Sequence, residues 1–278
     1  MRLIVTGGTG FIGSHFLNAA VAAGHEVLAL RRSGSTPRIT VPDSVKWLDG
    51  ELNDLDFSNP VDQADTALVH LAAYGVSPQP CEWEQAMDIN VRKSVVMAEK
   101  AASTGLTRII VCGTCMEYGN VANEYESIPA AAPLRPRGAY ASSKAAQSLA
   151  LEGLAREKSL KLAILRPFTV FGQGQHPSNF WPSLEKAALS GEDFPMTTGE
   201  QIRDFTPVES VAAEFLRVAT GADLQPGAPI IRNIGTGRPQ SLRCFAEHWW
   251  NHWNASGHLL FGAVPQRIGE IMRYVPQI

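Results

Sequence analysis

Three side chains with complementary proton chemistry lie in the middle of the chain: Thr114, Tyr140 and Lys144. Tyr140 and Lys144 are four residues apart, so on a helix they share one face with their Cβ atoms about 5–6 Å apart. A free phenol has a pKa of about 10 and is a good proton donor to a forming alkoxide. A neighbouring ammonium lowers that pKa, so the phenol can act in both directions. With the Thr114 hydroxyl holding the substrate oxygen, the trio predicts a hydride-transfer site.

The N-terminal segment predicts a partner for that site. An apolar, β-type run over Leu3–Val5 meets a glycine cluster, after which the apolar spacing becomes helical. Unpaired N–H groups at a helix N-terminus attract a diphosphate, and glycines let the anion approach the backbone. A dinucleotide is therefore expected here. Its predicted phosphate contacts are Gly7, Gly10, Phe11, Ile12 and Gly13.

The end of the second predicted strand bears on which dinucleotide binds. Glu26–Leu30 is predicted to be this strand, and it runs directly into Arg31, Arg32 and Ser33. An acidic residue about 20 positions beyond the glycines binds the ribose hydroxyls of NAD, whereas an arginine there accommodates the extra phosphate of NADP. The two arginines, with Ser33 beside them, therefore favour NADP(H), and NAD remains an alternative.

The rest of the chain alternates strand and helix. Further strands are predicted over 44–52, 66–73 and 108–114, and a helix over 82–103 with Met87, Val91, Val95 and Ala98 on one side. This alternation predicts an α/β, Rossmann-type doubly wound parallel sheet whose ligands bind at the carboxyl ends of the strands. We expect a dinucleotide-binding domain over 1–171, a returning strand near 229–235, and a small substrate-binding lobe formed mainly by 172–278.

Composition and charge reduce the number of functional classes to which the protein could belong. The 278 residues are 45% hydrophobic and 18% charged, with a formal net charge of -3, as in an ordinary globular protein. No basic run longer than Arg31-Arg32 points to nucleic acid, and neither a signal peptide nor a membrane-spanning run is evident, which predicts a cytoplasmic protein. The four cysteines do not form a disulfide framework, and the histidines lack companion ligands for a metal.

Several motifs together resemble the extended short-chain dehydrogenase/reductase family, the NAD-dependent epimerase/dehydratase-like enzymes that modify nucleotide-linked sugars. The matching blocks are Thr6–Gly13, His70–Ala73, Asn90–Val91, Thr114 with Tyr118–Gly119, Tyr140–Lys144, Leu165–Gly172 and Arg203–Phe205. They extend from residue 3 to about residue 237 and are specific for the fold.

The resemblance assigns roles to individual residues. It implies that Thr114, Tyr140 and Lys144 are the catalytic trio. It adds further cofactor contacts at Glu51, Leu52, Leu71, Ala72, Ala73, Asn90, Tyr140, Lys144 and Pro167. It places substrate contacts at Thr114, Met116, Asn179, Arg203 and Arg267. Charge supports the last two, because an arginine binds phosphate oxygens in a bidentate fork.

Departures from the motifs of two subfamilies reduce the number of reactions that this chain could catalyse. Sugar-nucleotide dehydratases resemble one another in a Thr-Asp-Glu run, whereas this chain has Thr114-Cys115-Met116 and lacks both carboxyl groups. The cysteine of fucose-synthase-like enzymes falls on Met116 and their acid histidine near Trp181, which disfavours deprotonation of ring carbons.

Three functions remain. The main prediction is NADPH-dependent reduction of a 4-keto nucleotide-linked sugar with Tyr140 as acid/base, and the alternative is a 4-epimerase that retains NAD. The third is a non-catalytic NADP(H)-binding regulator, which the presence of both Tyr140 and Lys144 disfavours. By the same resemblance we expect a homodimer formed through the helices that begin near Met87 and Tyr140.

Overall fold

Short apolar runs form one central parallel sheet in the computed structural model, which describes residues 1–57, 65–76, 78, 80–267 and 269–278. In chain order the strands of this sheet are β1 (Arg2–Thr6), β2 (Glu26–Arg31), β3 (Lys46–Asp49), β4 (Thr66–His70), β5 (Arg108–Cys112) and β6 (Lys161–Pro167), completed by β10 (Ile230–Ile234). Their spatial order is β10-β6-β5-β4-β1-β2-β3. The predicted Rossmann-type doubly wound sheet is confirmed.

Helices cover both faces of the sheet and also build the second lobe. They are α1 (Phe11–Ala22), α2 (Trp83–Ala86), α3 (Ser94–Ser103), α4 (Gly138–Lys158), α5 (Phe180–Ser190), α6 (Val208–Thr220) and α7 (Leu242–His252). Leu3 and Val5 of β1 belong to the core that contains Phe16 and Phe215, whereas Ile4 belongs to the core on the other face. Burial on both faces explains why this strand is a continuous apolar run rather than an alternating one.

The order of the strands reverses at the centre of the sheet. From β1 the chain proceeds outward to β2 on one side, and β4 then pairs with the other side of β1, with Thr6 opposite His70. The carboxyl ends of β1 and β4 therefore flank the crevice in which doubly wound folds bind their ligands.

The second lobe contains shorter strands and an aromatic core. Its strands are β7 (Thr169–Phe171), β8 (Phe194–Met196), β9 (Ile202–Pro207), β11 (Pro239–Ser241), β12 (Leu259–Phe261) and β13 (Arg273–Tyr274). Strand β9 pairs with β7, β11 and β13. Trp250 of α7 is buried in a cluster with Leu184 and Ala187 of α5, and Trp249 and Trp253 pack against that cluster. Among the described residues, no helix is both long and apolar enough to cross a membrane.

The helix over 82–103 differs from its predicted geometry. It consists of α2, a π-helical stretch over Met87–Lys93, and α3. Of the apolar residues predicted to share one side, Ala98 is buried and Val95 packs against the core, whereas Met87 is exposed. The buried side also contains Asn90 and Ser94, whose polar side chains bond to neighbouring polar groups, which the apolar spacing did not predict.

Candidate active site

The structure brings Thr114, Tyr140 and Lys144 to one place, at the carboxyl end of β5 and the first turns of α4. Thr114 is buried and caps the short 3-10 helix over Cys115–Glu117, where its hydroxyl accepts a hydrogen bond from Met116 N at 3.3 Å. The Thr114 side chain lies close enough to the phenol of Tyr140 to lower its pKa. An oxygen bound beside both hydroxyls would contact a proton donor and a second hydrogen-bonding group at once.

The acidity of Tyr140 differs from the sequence-based expectation. Desolvation raises the pKa of this phenol above its ordinary value, and the nearby Thr114 side chain only partly opposes that effect. The lowering of this pKa that the sequence predicts is therefore not a net effect in the structure, where desolvation dominates. Tyr140 is protonated at neutral pH, which suits a proton donor, and its use as a base requires additional positive charge nearby.

Lys144 is buried, and its ammonium has a hydrogen-bond acceptor of its own. The residue is 1% exposed, and burial lowers the pKa of its ammonium, while Cys112 and Glu117 act in the opposite direction. Within the described ranges, the hydrogen bond that the ammonium donates goes to Oε1 of Gln147, one turn further along α4.

Two thiols border the site without serving as nucleophiles. Desolvation raises the pKa of Cys112 to about 11 and that of Cys115 to about 12, so both remain protonated at neutral pH. In the part of the chain that the structure describes, no group of three or more His, Cys, Asp or Glu side chains could hold a metal ion.

The glycine loop has the shape that a diphosphate requires. Gly7 has φ +73°, and a Cβ on it would lie 2.5 Å from Ala72 N. A Cβ on Gly13 would lie 2.0 Å from Gly7 O. Helix α1 has no side-chain cap at Gly10 and no acidic residue in its first turn, so its leading N–H groups remain available to an anion. These residues fit the dinucleotide that the sequence predicts.

Replacing Gly13 with alanine should abolish this fit. The added methyl group overlaps backbone rather than a flexible side chain, so the loop must shift, and we expect affinity for the dinucleotide to fall by about 100-fold, which corresponds to about 3 kcal/mol. Isothermal titration of NAD into the variant, first stripped of any bound dinucleotide, measures this loss. The matched control is Gly153→Ala in α4, where a Cβ meets nothing within 4 Å and binding should not change. Equal affinity in both variants would contradict the assignment of the loop.

The arginines after β2 have unequal surroundings. Arg31 Nε donates to Asp49 Oδ1 at 2.8 Å, and its guanidinium lies 5.1 Å from the centroid of the Trp47 ring. Arg32 and Ser33 are exposed. Arg31 is thus already paired with a carboxylate of the adjacent strand, whereas the Arg32 guanidinium has no ion-pair partner among the described residues.

Other predicted cofactor residues also lie near the crevice. Leu71, Ala72 and Ala73 follow β4 directly and are half-buried, and Pro167 ends β6. Glu51 is exposed at the start of a short 3-10 helix in which Leu52 is buried. Asn90 uses its amide within the protein, on the backbone of Tyr74 and on Ser143 Oγ at 2.9 Å. Its role in the structure is to connect the segment after β4 to α4.

The predicted substrate residues are not all free to bind. Arg203 donates to the carbonyl oxygens of Ile202, Ile271 and Met272, so its guanidinium holds the C-terminal segment. Arg267 is exposed. Met116 is 47% exposed immediately after Thr114, and Asn179 is half-buried at the start of α5.

A buried ion pair behind Thr114 was absent from the sequence-based prediction. Glu117 Oε2 accepts from Arg166 Nε at 2.9 Å and from Ser148 Oγ at 2.8 Å, while Oε1 accepts from the backbone N of Thr114 at 2.8 Å. Glu117 thereby connects the strand end that carries Thr114 to the helix that carries Tyr140. The spacing Thr-x-x-Glu of a capping box was the sequence signal that pointed to Glu117.

Comparison with known proteins agrees with this fold. A doubly wound sheet with a glycine loop after β1 defines the dinucleotide-binding α/β class. The chain matches the NAD dependent epimerase/dehydratase family over residues 3–235. It belongs to that family, and the resemblance inferred from the motifs is confirmed.

Individual relatives are similar over most of their length. The chain is 27% identical over 264 residues to a UDP-glucose 4-epimerase of Streptomyces lividans, with 87% of this chain and 78% of the relative covered. Among solved structures, MoeE5 in complex with UDP-glucuronic acid and NAD is 27% identical, with a TM-score of 0.81 and coverage of 100% and 90% of the two chains. The UDP-glucose 4-epimerase of Thermus thermophilus in complex with NAD is 26% identical, with a TM-score of 0.78 and coverage of 100% and 90%.

Proposed function

We propose that this protein is a nucleotide-sugar 4-epimerase that retains NAD. The observation that carries this proposal is the convergence of Thr114, Tyr140 and Lys144 beside the crevice at the carboxyl ends of the central strands. The similarity to UDP-glucose 4-epimerases supports the class of substrate. The NADPH-dependent reduction expected from the sequence becomes the second candidate.

The chemistry follows from the positions of the three side chains. Tyr140, as phenolate, takes the proton from the C4 hydroxyl, and Thr114 hydrogen-bonds the same oxygen. A dinucleotide held at Gly7, Gly10 and Gly13 would supply the reversible hydride acceptor that oxidation and re-reduction at C4 require. Tyr140 then returns its proton to the C4 oxygen, and Lys144 supplies the positive charge that makes the phenolate accessible.

The choice of dinucleotide depends on the charges after β2. NADP binding requires a cation available for the additional phosphate, and the ion pair between Arg31 and Asp49 neutralises one of the two candidates. The structures of MoeE5 and of the Thermus epimerase contain NAD. The exposed guanidinium of Arg32 is the feature that keeps NADPH-dependent 4-keto reduction as the second candidate.

Two measurements on the purified protein distinguish these candidates. The first identifies any dinucleotide released by denaturation. The second incubates the native protein with UDP-glucose, UDP-N-acetylglucosamine or dTDP-glucose without added cofactor and resolves the epimers by chromatography. Released NAD together with formation of the 4-epimer is the expected result.

Other results would assign the protein differently. Oxidation of added NADPH by a nucleotide-linked 4-keto-6-deoxy sugar, with no epimer formed, would favour the ketoreductase. A dinucleotide-binding protein that turns over neither kind of substrate would reject both enzymatic candidates and favour the non-catalytic regulator.

A further inference from the structure

A continuous chain of buried polar side chains leads from the glycine loop to Lys144. Thr6 ends β1 just before the glycines, and its Oγ1 lies 2.6 Å from Nδ1 of His70 at the end of β4. His70 Nε2 lies 2.9 Å from Ser94 Oγ. Gln147 Nε2 donates to that same hydroxyl oxygen at 2.8 Å, and its Oε1 accepts from the Lys144 ammonium. All five side chains are buried.

The donor and acceptor directions of these hydrogen bonds determine which end of the Gln147 amide faces Lys144. Burial lowers the pKa of His70 to about 3, so the ring is neutral and carries one N–H. We assign that proton to Nδ1, which donates to Thr6 Oγ1, because Nε2 lies 3.3 Å from Gln147 Nε2, an amide nitrogen that can only donate. His70 Nε2 then accepts from that amide and from the Ser94 hydroxyl. Ser94 Oγ is then an acceptor for the Gln147 NH₂ group, which leaves the amide oxygen facing the ammonium.

Gln147 matters because, among the described residues, its amide oxygen is the hydrogen-bond acceptor of the Lys144 ammonium. An ammonium this deeply buried requires an acceptor, since an unpaired buried charge is costly. The titratable groups around it are Tyr140 on its own helix, His70 from β4, and Cys112 and Glu117 from β5 and the turn after it. His70 and Cys112 are uncharged at neutral pH, and Glu117 is engaged by Arg166.

We propose that Gln147 is a positioning residue of this enzyme: its amide, oriented by Ser94 and His70, sets the location and charge of Lys144 and thereby the reactivity of Tyr140. This inference deepens the proposed function and rests on it for the role of Lys144. Gln147 does not touch the reacting atoms. It also provides a route by which a change at Thr6, beside the nucleotide loop, reaches the catalytic lysine.

The test observes Lys144 directly and does not depend on turnover. The chain has seven lysines, so protein labelled with ¹⁵N at lysine Nζ gives few side-chain signals, and the Lys144 signal is the one lost in Lys144→Met. Spectra with NAD present, recorded across the alkaline range, yield the titration midpoint of Lys144. In Gln147→Met the charged form loses its acceptor, and the midpoint should fall by about one pH unit. In Gln147→Glu the acceptor becomes a carboxylate, and the midpoint should rise by about the same amount.

Two further variants control this measurement. Ser94→Ala removes the group that orients the amide, so it should lower the midpoint by a smaller amount and add little in the Gln147→Met background. Gln201→Met replaces an equally buried glutamine that bonds to Thr197 and Glu270, and it should leave the Lys144 midpoint unchanged. Should Gln147→Met fail to fold, Gln147→Glu and Ser94→Ala decide the outcome.

Turnover measurements test whether the contact between Gln147 and Lys144 affects the reaction. In Gln147→Met we expect kcat at neutral pH to fall about tenfold, with KM for the nucleotide sugar within about twofold. A Lys144 midpoint that moves in neither Gln147 variant would overturn the inference, and so would a shifted midpoint with unchanged kcat. If the wild-type protein converts no nucleotide sugar while the Lys144 midpoint shifts as expected, the proposed function fails and the placement of Lys144 by Gln147 stands.

Discussion

Tyr140→Phe is expected to lower kcat for 4-epimerisation by about 10³-fold while leaving dinucleotide affinity unchanged. The substitution removes only the phenolic oxygen, and the ring remains in the first turns of α4. Without that oxygen no side chain takes the proton from the sugar hydroxyl, and Thr114 retains only a hydrogen-bonding role. Chromatographic assay of epimer formation measures kcat, and isothermal titration of NAD into protein stripped of any bound dinucleotide measures the affinity.

A second tyrosine provides the control for this substitution. Tyr125 lies at the end of a short 3-10 helix and packs against a hydrophobic cluster that does not include Tyr140. Tyr125→Phe should therefore leave kcat within about twofold. Turnover above a tenth of the wild-type rate in Tyr140→Phe would remove Tyr140 from the chemistry. Under the NADPH-dependent alternative, the same variant should lose the reduction of the 4-keto sugar, because Tyr140 is the proton donor in that reduction.

The fold was predictable because its signals are local and repeated. The run Leu3–Val5 is buried on both faces, and the glycines after Thr6 occupy positions at which a Cβ would collide with backbone. Such constraints act within a few residues along the chain, so sequence spacing reveals them. The placement of Thr114, Tyr140 and Lys144 at one end of the sheet was predictable for a related reason, since Tyr140 and Lys144 share a helix turn and Thr114 follows a strand.

The surroundings of those residues were not predictable, because they depend on distant partners. Arg31 has the spacing of a phosphate ligand, yet Asp49 on the adjacent strand occupies it. Arg203 has the motif of a substrate ligand, yet the backbone of the C-terminal segment occupies its guanidinium. Lys144 was expected beside Tyr140, but Gln147 as the acceptor of its ammonium was not foreseen. For Arg31 and Arg203 the partner is remote in sequence, and for Lys144 it is a nearby amide whose contacts, His70 and Ser94, are remote.

Glu117→Gln is expected to destabilise the protein by about 3–5 kcal/mol, because it leaves the buried guanidinium of Arg166 without a counter-charge. Glu117 and Arg166 are 0% and 2% exposed, so water cannot replace the lost partner. The new amide would also present NH₂ to one of the donors that now meet the carboxylate, namely Thr114 N, Ser148 Oγ or Arg166 Nε. Urea unfolding at neutral pH, compared with the wild-type protein, measures the change in the free energy of unfolding.

An exposed ion pair of the same type provides the comparison. Glu124 and Arg135 lie 2.7 Å apart with side chains 52% and 61% exposed, so Glu124→Gln should cost less than about 1 kcal/mol. The double variant Glu117→Gln with Arg166→Met should be more stable than the sum of the two single losses predicts, since it removes both charges together. Additive losses would show that the pair does not act as a unit. Because Glu117 joins the Thr114 backbone to Ser148 on α4, the single variant should also lower kcat by displacing Thr114 relative to Tyr140.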